Sequence, residues 1–457
     1  MNFNHKKVLV AGAGISGLGA AKLLRAVGAR VILYDSKEDL DVEALRIKLE
    51  AKGIVPSEIE IVVGALPASV ISECALAVIS PGIPVDAPFV EDIRKSGVKV
   101  WGEIELAYAF SKGRIAAITG TNGKTTTTSL LGEILGAYFD SAFVVGNIGQ
   151  SYTERALETT EDSVIAAEIS SFQLETIENF HPFVSAVLNV TPDHLNRHYT
   201  MENYAAVKMS VMKNQTEDDF VILNYEDEYT RAAGKDAKAK VIYFSSRRVL
   251  EDGYYYRDGE IIRAENGVRR HICFENELKI LGIHNMENVM AAVAAAECFN
   301  IPQEVTHHVL IHFKAVAHRI EYVATKKGVD YYNDSKGTNT DAAIKAVEAM
   351  VKPTLVIGGG YDKNVAFDDW IESFGTKVKL LVLLGATADK IEACAKSHGF
   401  DKVVRAGSLE EAVKLCADNA AEGDAVLLSP ACASWGMFKN YEERGDMFKD
   451  YVHALDD

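Results

Sequence analysis

Lys7-Val8-Leu9-Val10-Ala11-Gly12-Ala13-Gly14-Ile15-Ser16-Gly17 is the stretch on which the fold turns. Lys7 to Ala11 is an apolar run of strand length, Gly17 to Val27 reads as a helix, and Arg30 to Tyr34 as a second strand. Between the first strand and the helix, Gly12 to Gly17 has the spacing G-x-G-x-x-G, and Asp35 follows 23 positions after Gly12 at the end of the next strand. Glycines placed this way let the backbone approach a pyrophosphate at a helix N-terminus, where amides and dipole favour anions. The pattern predicts a Rossmann-like half with a phosphate-bearing ligand, without saying which nucleotide. A tight turn with no ligand is the plain alternative. His5, Lys6 and Lys7 imitate the start of a signal peptide, but Gly12, Gly14, Gly17, Gly19, Lys22 and Arg25 interrupt the apolar run behind them.

A second glycine loop, Gly120-Thr121-Asn122-Gly123-Lys124-Thr125, follows the strand-like Ile115–Ile118 and opens a helix over Thr125–Leu135. It resembles a P-loop, although Ile118 stands where the strict pattern has its first glycine. The mechanics survive: backbone amides cradle phosphates, Lys124 reaches the β/γ-phosphates, and the Thr125 hydroxyl binds Mg²⁺. A dehydrogenase has no use for an ATP loop. An ATP-driven enzyme with a nucleotide-linked substrate needs both loops.

Further out, strand-like Thr354–Ile357, Leu380–Leu384 and Ala425–Leu428 continue the alternation of short apolar runs and helices. The rhythm predicts an α/β fold with mainly parallel sheets. New strand–loop–helix patterns begin at Lys7, near Arg114 and near Glu321. Three domains are expected: 1–110, Rossmann-like; 111–316, a P-loop-type ATPase domain; and 317–457, Rossmann-like again. Residues 246–275, rich in Tyr, Arg, Asp and Glu, read as an exposed hairpin-rich insert in the middle domain. The 457 residues carry a formal net charge of -17, which disfavours nucleic acid and anionic membrane surfaces. No 18-residue apolar run suggests a membrane span. Six scattered cysteines without a C-x-x-C pair point to a reducing cytoplasm.

Glu168 ends the apolar run Val164–Ala167, a position suited to Mg²⁺ in a P-loop domain, though a surface acid at a strand end would look the same. Asp193-His194 follows the strand Val187–Val190 on a loop fit for metal or phosphate work, or merely a polar turn. Lys208 lies in a helical stretch, Met201–Met212, and its spacing reads as an ordinary solvated lysine.

Taken together, the motifs resemble the Mur ligases, the ATP-dependent amino-acid-adding enzymes of peptidoglycan synthesis. The carriers are Thr119–Thr126, Gly146-Asn147-Ile148-Gly149, Glu168–Leu174, Asn189–His194, His284–Asn288, His318-Arg319, Asp334–Asn339 and Leu428–Ser434. A Rossmann-type first domain sets aside the members that add the third residue or the terminal dipeptide. Ser80-Pro81-Gly82-Ile83, the Asp334–Asn339 segment and the Leu428–Ser434 ending look like the D-glutamate-adding member. The L-alanine-adding member stays open as the alternative.

The resemblance implies the following roles. ATP would be held by Gly120, Asn122, Gly123, Lys124, Thr125, Thr126, Asn285 and Asn288, and from the third domain by Arg319, Asp334 and Lys336. Two Mg²⁺ ions would be served by Thr125, Glu168, His194 and Lys208, the last as a carbamate; Lys124, Lys208 and His194 would be catalytic. The UDP-substrate, UDP-N-acetylmuramoyl-L-alanine, would lie on Gly14, Ile15, Ser16, Asp35, Ser36, Gly82, Asn147, Ser170, Gln173 and His194. D-Glutamate would meet Thr338, Lys363, Ser434 and Tyr441, where Tyr441 replaces the phenylalanine expected there. The implied enzyme is a cytoplasmic monomer that makes an acyl phosphate and releases ADP and phosphate. Two other classes compete: a nicotinamide or flavin oxidoreductase, which leaves the second loop idle, and a regulatory ATPase, which would hydrolyse ATP without an acceptor.

Overall fold

The computed structural model describes residues 2–314, 316–363 and 365–456. Three sheets organise them. The first has five parallel strands in the order Ile59–Val63, Arg30–Asp35, Lys7–Ala11, Cys74–Ile79, Val100–Gly102. Its central strand is buried on both faces, Val8, Leu9, Val10 and Ala11 all having no exposed surface, as a continuous apolar run in a parallel sheet requires.

The second sheet has nine strands. Lys240–Ser245, Phe220–Asn224, Val184–Val187, Arg114–Thr119, Val164–Glu168 and Ala142–Gly146 pair in parallel. The register sets Ile118 opposite Glu168 and Thr119 opposite Val187, so the loops after these strands open at one edge. The third sheet has six strands, with an antiparallel hairpin, Glu321–Lys326 and Val329–Asn333, beside the parallel Ala425–Leu428, Thr354–Gly358, Val378–Leu383 and Val403–Arg405. All three therefore put their loops at the carboxyl ends of parallel strands, where ligands bind in open α/β sheets.

The segment 246–275 corrects the sequence reading. Its strands Gly253–Arg257, Glu260–Glu265 and Val268–Phe274 extend the nine-stranded sheet, and Tyr254, Tyr255, Ile261, Ile272 and Cys273 are buried. Tyr254 and Tyr255 are neighbours whose side chains leave opposite faces of the strand, and both are buried, so this strand is covered on both sides at its start. The Tyr254 hydroxyl and Arg270 both end on the Glu297 carboxylate.

The described chain forms two compact units: 2–273 with 287–310, and 274–286 with 311–456. Within the first, the helix Glu103–Tyr108 couples the two sheets. The buried Glu105 carboxylate accepts from the backbone amides of Glu178, Asn179 and Phe180 at 2.7–3.0 Å. Among the described residues no helix is long and apolar enough to cross a membrane.

Candidate active site

The first loop is built by close approach. Gly12 has φ +99°, and a Cβ on Gly17 would stand 1.8 Å from the Gly12 carbonyl oxygen, so the helix Ile15–Ala26 starts hard against the strand only with glycine there. The helix begins at Ile15, two residues before the glycine at which the sequence placed it. The Asp35 carboxylate accepts from the Ala13 amide and the Lys37 amide, both at 3.1 Å, tying the loop to the second strand. Gly14, Ile15 and Ser36 are exposed around this loop, with Ser16 half-buried, and Gly82 is exposed on the turn after the Cys74–Ile79 strand. Ser80, on that same turn, has a buried Oγ with no hydrogen-bond partner among the described residues, 2.6 Å from where a Gly12 Cβ would be.

In the second loop Gly120 and Gly123 have φ +146° and +85°. The Asn122 amide donates to Asn189 Oδ1 at 2.8 Å, which fixes the loop against the next strand's end. Thr125 and Thr126 are buried in the first turn of the helix Lys124–Tyr138. Asn288 is buried beside Gly123, its Oδ1 accepting from Thr127 Oγ1 at 3.3 Å. Lys124 Nζ donates to the carbonyls of Gly120 and Thr121, both at 2.8 Å.

Lys208 is the largest departure from the sequence reading. It is 1% exposed in the helix Met201–Met209, not solvated, and its Nζ donates to the same Gly120 carbonyl at 2.7 Å. The amine also lies 4.5 Å from the centre of the Tyr204 ring. Burial, then the neighbouring Lys124 cation, push its pKa well below the usual lysine value, against a smaller opposing pull from Asp193. Two amines on one carbonyl oxygen repel while both are charged.

Glu168 is likewise not a surface acid. It is 1% exposed, its Oε1 accepts from Asn147 Nδ2 at 2.8 Å, and its Oε2 is buried with no hydrogen-bond partner among the described residues. A buried, half-satisfied carboxylate oxygen beside a phosphate loop fits an oxygen-seeking cation. His194 sits at φ +52°, with Nε2 3.5 Å from Asp193 Oδ2 and its ring 4.8 Å from Phe172. Ser170 and Gln173 form a capping box for the short helix Ser171–Leu174, so the Gln173 carbonyl is already engaged by the Ser170 amide and hydroxyl. His198, missed by the sequence reading, is buried and held neutral, its pKa pushed down to about 4 by burial and then by His194, Lys208 and Arg197. Its 3.5 Å approach to Glu175 is therefore not an ion pair, and Nε2 meets Ser171 Oγ at 3.0 Å.

The second unit gathers a separate set. Asp334 follows the Val329–Asn333 strand, and its Oδ2 accepts from Ser429 Oγ at 2.7 Å. Burial raises its pKa to about 7, with Ser429, Arg319 and Arg444 pulling the other way. Lys336 Nζ lies 4.9 Å from the centre of the Tyr441 ring, which meets His318 edge-on. Lys363 Nζ donates to the Thr338 carbonyl at 3.4 Å and stands 5.8 Å from the Trp435 ring centre, next to buried Ser434. Asn285 is buried, its Nδ2 donating to the Leu281 carbonyl at 2.7 Å. Arg444 is a residue the sequence did not single out. Fully sequestered at 2% exposure, it donates to Ser335 Oγ and O at 2.9 and 2.7 Å and to the Cys432 carbonyl at 3.2 Å. It thereby clamps the Asp334–Lys336 loop to the Ser429–Ser434 loop.

A phosphate loop backed by a buried acid and a buried amine, carried beside a separate dinucleotide-type sheet, marks an enzyme that uses a nucleoside triphosphate on a second phosphorylated substrate. Family models match three stretches: "Mur ligase MurD-like, N-terminal domain" over 6–102, "Mur ligase middle domain" over 118–296 and "Mur ligase, glutamate ligase domain" over 318–432. The chain is 54% identical to the UDP-N-acetylmuramoylalanine--D-glutamate ligase of Lachnospira eligens over the full length of both. It is 46% identical, again over both full lengths, to the ligase of the same name from Thermoanaerobacter sp. strain X514. Among solved structures, the UDP-N-acetylmuramate-alanine ligase MurC of Thermotoga maritima superposes with a TM-score of 0.61 at 18% identity, covering 98% of this chain and 99% of that one. A pseudomurein peptide ligase type C from Methanothermus fervidus gives 0.58 at 18%, with the same coverage. These two likenesses speak for the fold. The chain belongs to the Mur ligase family, ATP-dependent and Mg²⁺-using enzymes that form C–N bonds.

Proposed function

We propose that this chain ligates D-glutamate to UDP-N-acetylmuramoyl-L-alanine with ATP, in the cytoplasm, as a monomer of three domains bounded near residues 110 and 317. Identity over the whole chain to ligases of that name supports the substrates. A carboxylate does not acylate an amine at neutral pH, because its oxide leaves poorly. The alanyl carboxylate of the UDP-substrate therefore attacks the ATP γ-phosphorus and ADP departs. The D-glutamate amine then attacks the acyl carbon, loses a proton, and phosphate leaves.

Lys124 neutralises charge that develops on the transferring phosphoryl group, the largest kind of contribution in such sites. Thr125, Glu168, His194 and modified Lys208 would hold two Mg²⁺ ions, which when bound neutralise phosphate charge. Gly120, Asn122, Gly123, Thr126 and Asn288 support the ATP phosphate end, and Asn285, Arg319, Asp334 and Lys336 are assigned to the same nucleotide. Gly14, Ile15, Ser16, Asp35, Ser36, Gly82, Asn147, Ser170 and Gln173 take the UDP-substrate, with His194 assigned to both. Thr338, Lys363, Ser434 and Tyr441 take D-glutamate, whose carboxylates suit the Lys363 cation.

The observation that carries this reading is buried Lys208 sharing the Gly120 carbonyl with Lys124. A neutral amine there can attack CO₂, releasing a proton and leaving a carbamate. That exchange turns a repelling cation into an anion able to support the metals. Lys208→Ala is expected to lower turnover about 10²–10³-fold, the scale of losing one electrostatic partner, and short-chain carboxylic acids should partly restore it. Near-normal turnover in the alanine variant would show that no carbamate at Lys208 serves the reaction.

A further inference from the structure

On the second unit, well outside the residues assigned above, two helices present metal-binding side chains to one another. Asp368 and Glu372 stand at the two ends of the helix Asp368–Glu372, four residues apart. Cys394 lies in the helix Ala388–Ser397, and His398 caps it four residues on. Both pairs are thus on single helix faces. The helices are seated by the apolar layer beneath them, where Trp370 meets Phe374 and Phe374 meets Phe400, each edge-on at 5.2 Å, and Ile391 and Ala395 are fully buried.

One ligand atom each from Asp368, Cys394 and His398 falls within a mutual spread of 4.8 Å. His398 Nε2 is 3.6 Å from Asp368 Oδ1 and 3.5 Å from Glu372 Oε1. The other ring nitrogen, Nδ1, is 2.9 Å from the Cys394 carbonyl oxygen, which takes the proton of that nitrogen and leaves the Nε2 lone pair facing the carboxylates. An imidazole bonded this way has its tautomer and orientation set for a metal by the second nitrogen. Around a tetrahedral zinc with bonds of about 2.0–2.3 Å, ligand atoms stand about 3.3–3.7 Å apart, so closing the cluster takes side-chain rotation that brings the Cys394 Sγ, now 3.9 Å from Nδ1, round to the Nε2 side of the ring. Thiol, imidazole and carboxylate are a donor set for zinc or cobalt, and unlike the all-oxygen sets that magnesium selects.

We propose that Asp368, Cys394 and His398, with Glu372 as the fourth ligand, form a zinc-type site that clips these two helices together. Binding takes the metal ion in and releases the Cys394 thiol proton. The helix it holds begins at the turn that carries the Lys363 segment: Thr387 Oγ1 accepts from the Gly360 amide at 3.0 Å, and Lys390 pairs with Asp362 at 3.3 Å. A clip at the far end would steady that helix without touching substrate.

The test is titration of the purified full-length chain with Co²⁺, then Zn²⁺ in competition. The expected result is one equivalent bound with a thiolate-to-cobalt charge-transfer band, displaced by Zn²⁺. Cys394→Ser should abolish the band and His398→Ala should weaken binding 10–100-fold or more, while both variants keep ligase turnover, showing that they fold. A chain that binds no Co²⁺ beyond what the Cys394→Ser variant binds would overturn the proposal. So would a cobalt spectrum with no thiolate band.

Discussion

At Lys124 and Lys208 the molecule places two amines on one carbonyl oxygen, at 2.8 and 2.7 Å. The two have different expected phenotypes. Lys124→Ala should lose ATP turnover by about 10²–10³-fold while calorimetry still detects the UDP-substrate; equal loss of both would signal a folding defect instead. Asp334 makes a second residue-level prediction. With a native pKa of about 7 against the ordinary 3.8, the folded chain keeps a proton between those pH values that the unfolded chain has released. Stability is therefore lost as pH rises from about 4 to about 7, and no further above. Asp334→Asn should flatten that slope in urea midpoints of the second unit; an unchanged slope would place the titrating group elsewhere. These residues also mark where sequence reading stops. Lys208 looks like any helix lysine because what buries it is a loop 88 positions away. Arg444 is silent because its partners lie 12 and 109 positions away. Lys124 and Glu168 stand out in the sequence because each sits in a local pattern of strand end and loop, whereas Asp334 is singled out only by the family resemblance.

At the scale of elements, strands and their loops carried the most sequence information. Parallel strands buried on both faces read as apolar runs, so Lys7–Ala11 and Ala425–Leu428 were found with the boundaries that the structure has. The stretch after Ser245 misled because its tyrosines and charges look solvated, whereas Tyr254 and Tyr255 are buried in the extended sheet. Glycine loops make predictions at this scale. Gly123→Ala adds a Cβ 2.2 Å from Asn288 Oδ1 at a φ of +85°. It should impair ATP binding, read as a raised KM for ATP with UDP-substrate affinity kept. Gly17→Ala should do the converse, because its Cβ meets the Gly12 carbonyl at 1.8 Å in the first sheet's loop. Normal UDP-substrate affinity in the Gly17 variant would separate that loop from the UDP group. Asn339 caps the helix Thr340–Ala349 by accepting from the Ala342 amide at 2.8 Å. Its replacement by Ala should cost about 1 kcal/mol, as lost caps do.

For the whole molecule, a net charge of -17 coexists with anionic substrates because lysines stand at the ligand-facing loops: Lys124 at the end of the phosphate loop in the first unit, Lys336 and Lys363 in the second. The glycine fingerprint at residues 12–17, which alone suggests a redox enzyme, takes its meaning from the phosphate loop at 120–125 in the neighbouring sheet. Ligation of D-glutamate is tested by phosphate release from ATP and Mg²⁺ with UDP-N-acetylmuramoyl-L-alanine and a panel of amino acids. The expected result is phosphate and peptide product in equal amounts with D-glutamate, and neither when any one component is left out. Phosphate release without an amino acid, or product formed from UDP-N-acetylmuramate and L-alanine instead, would contradict it.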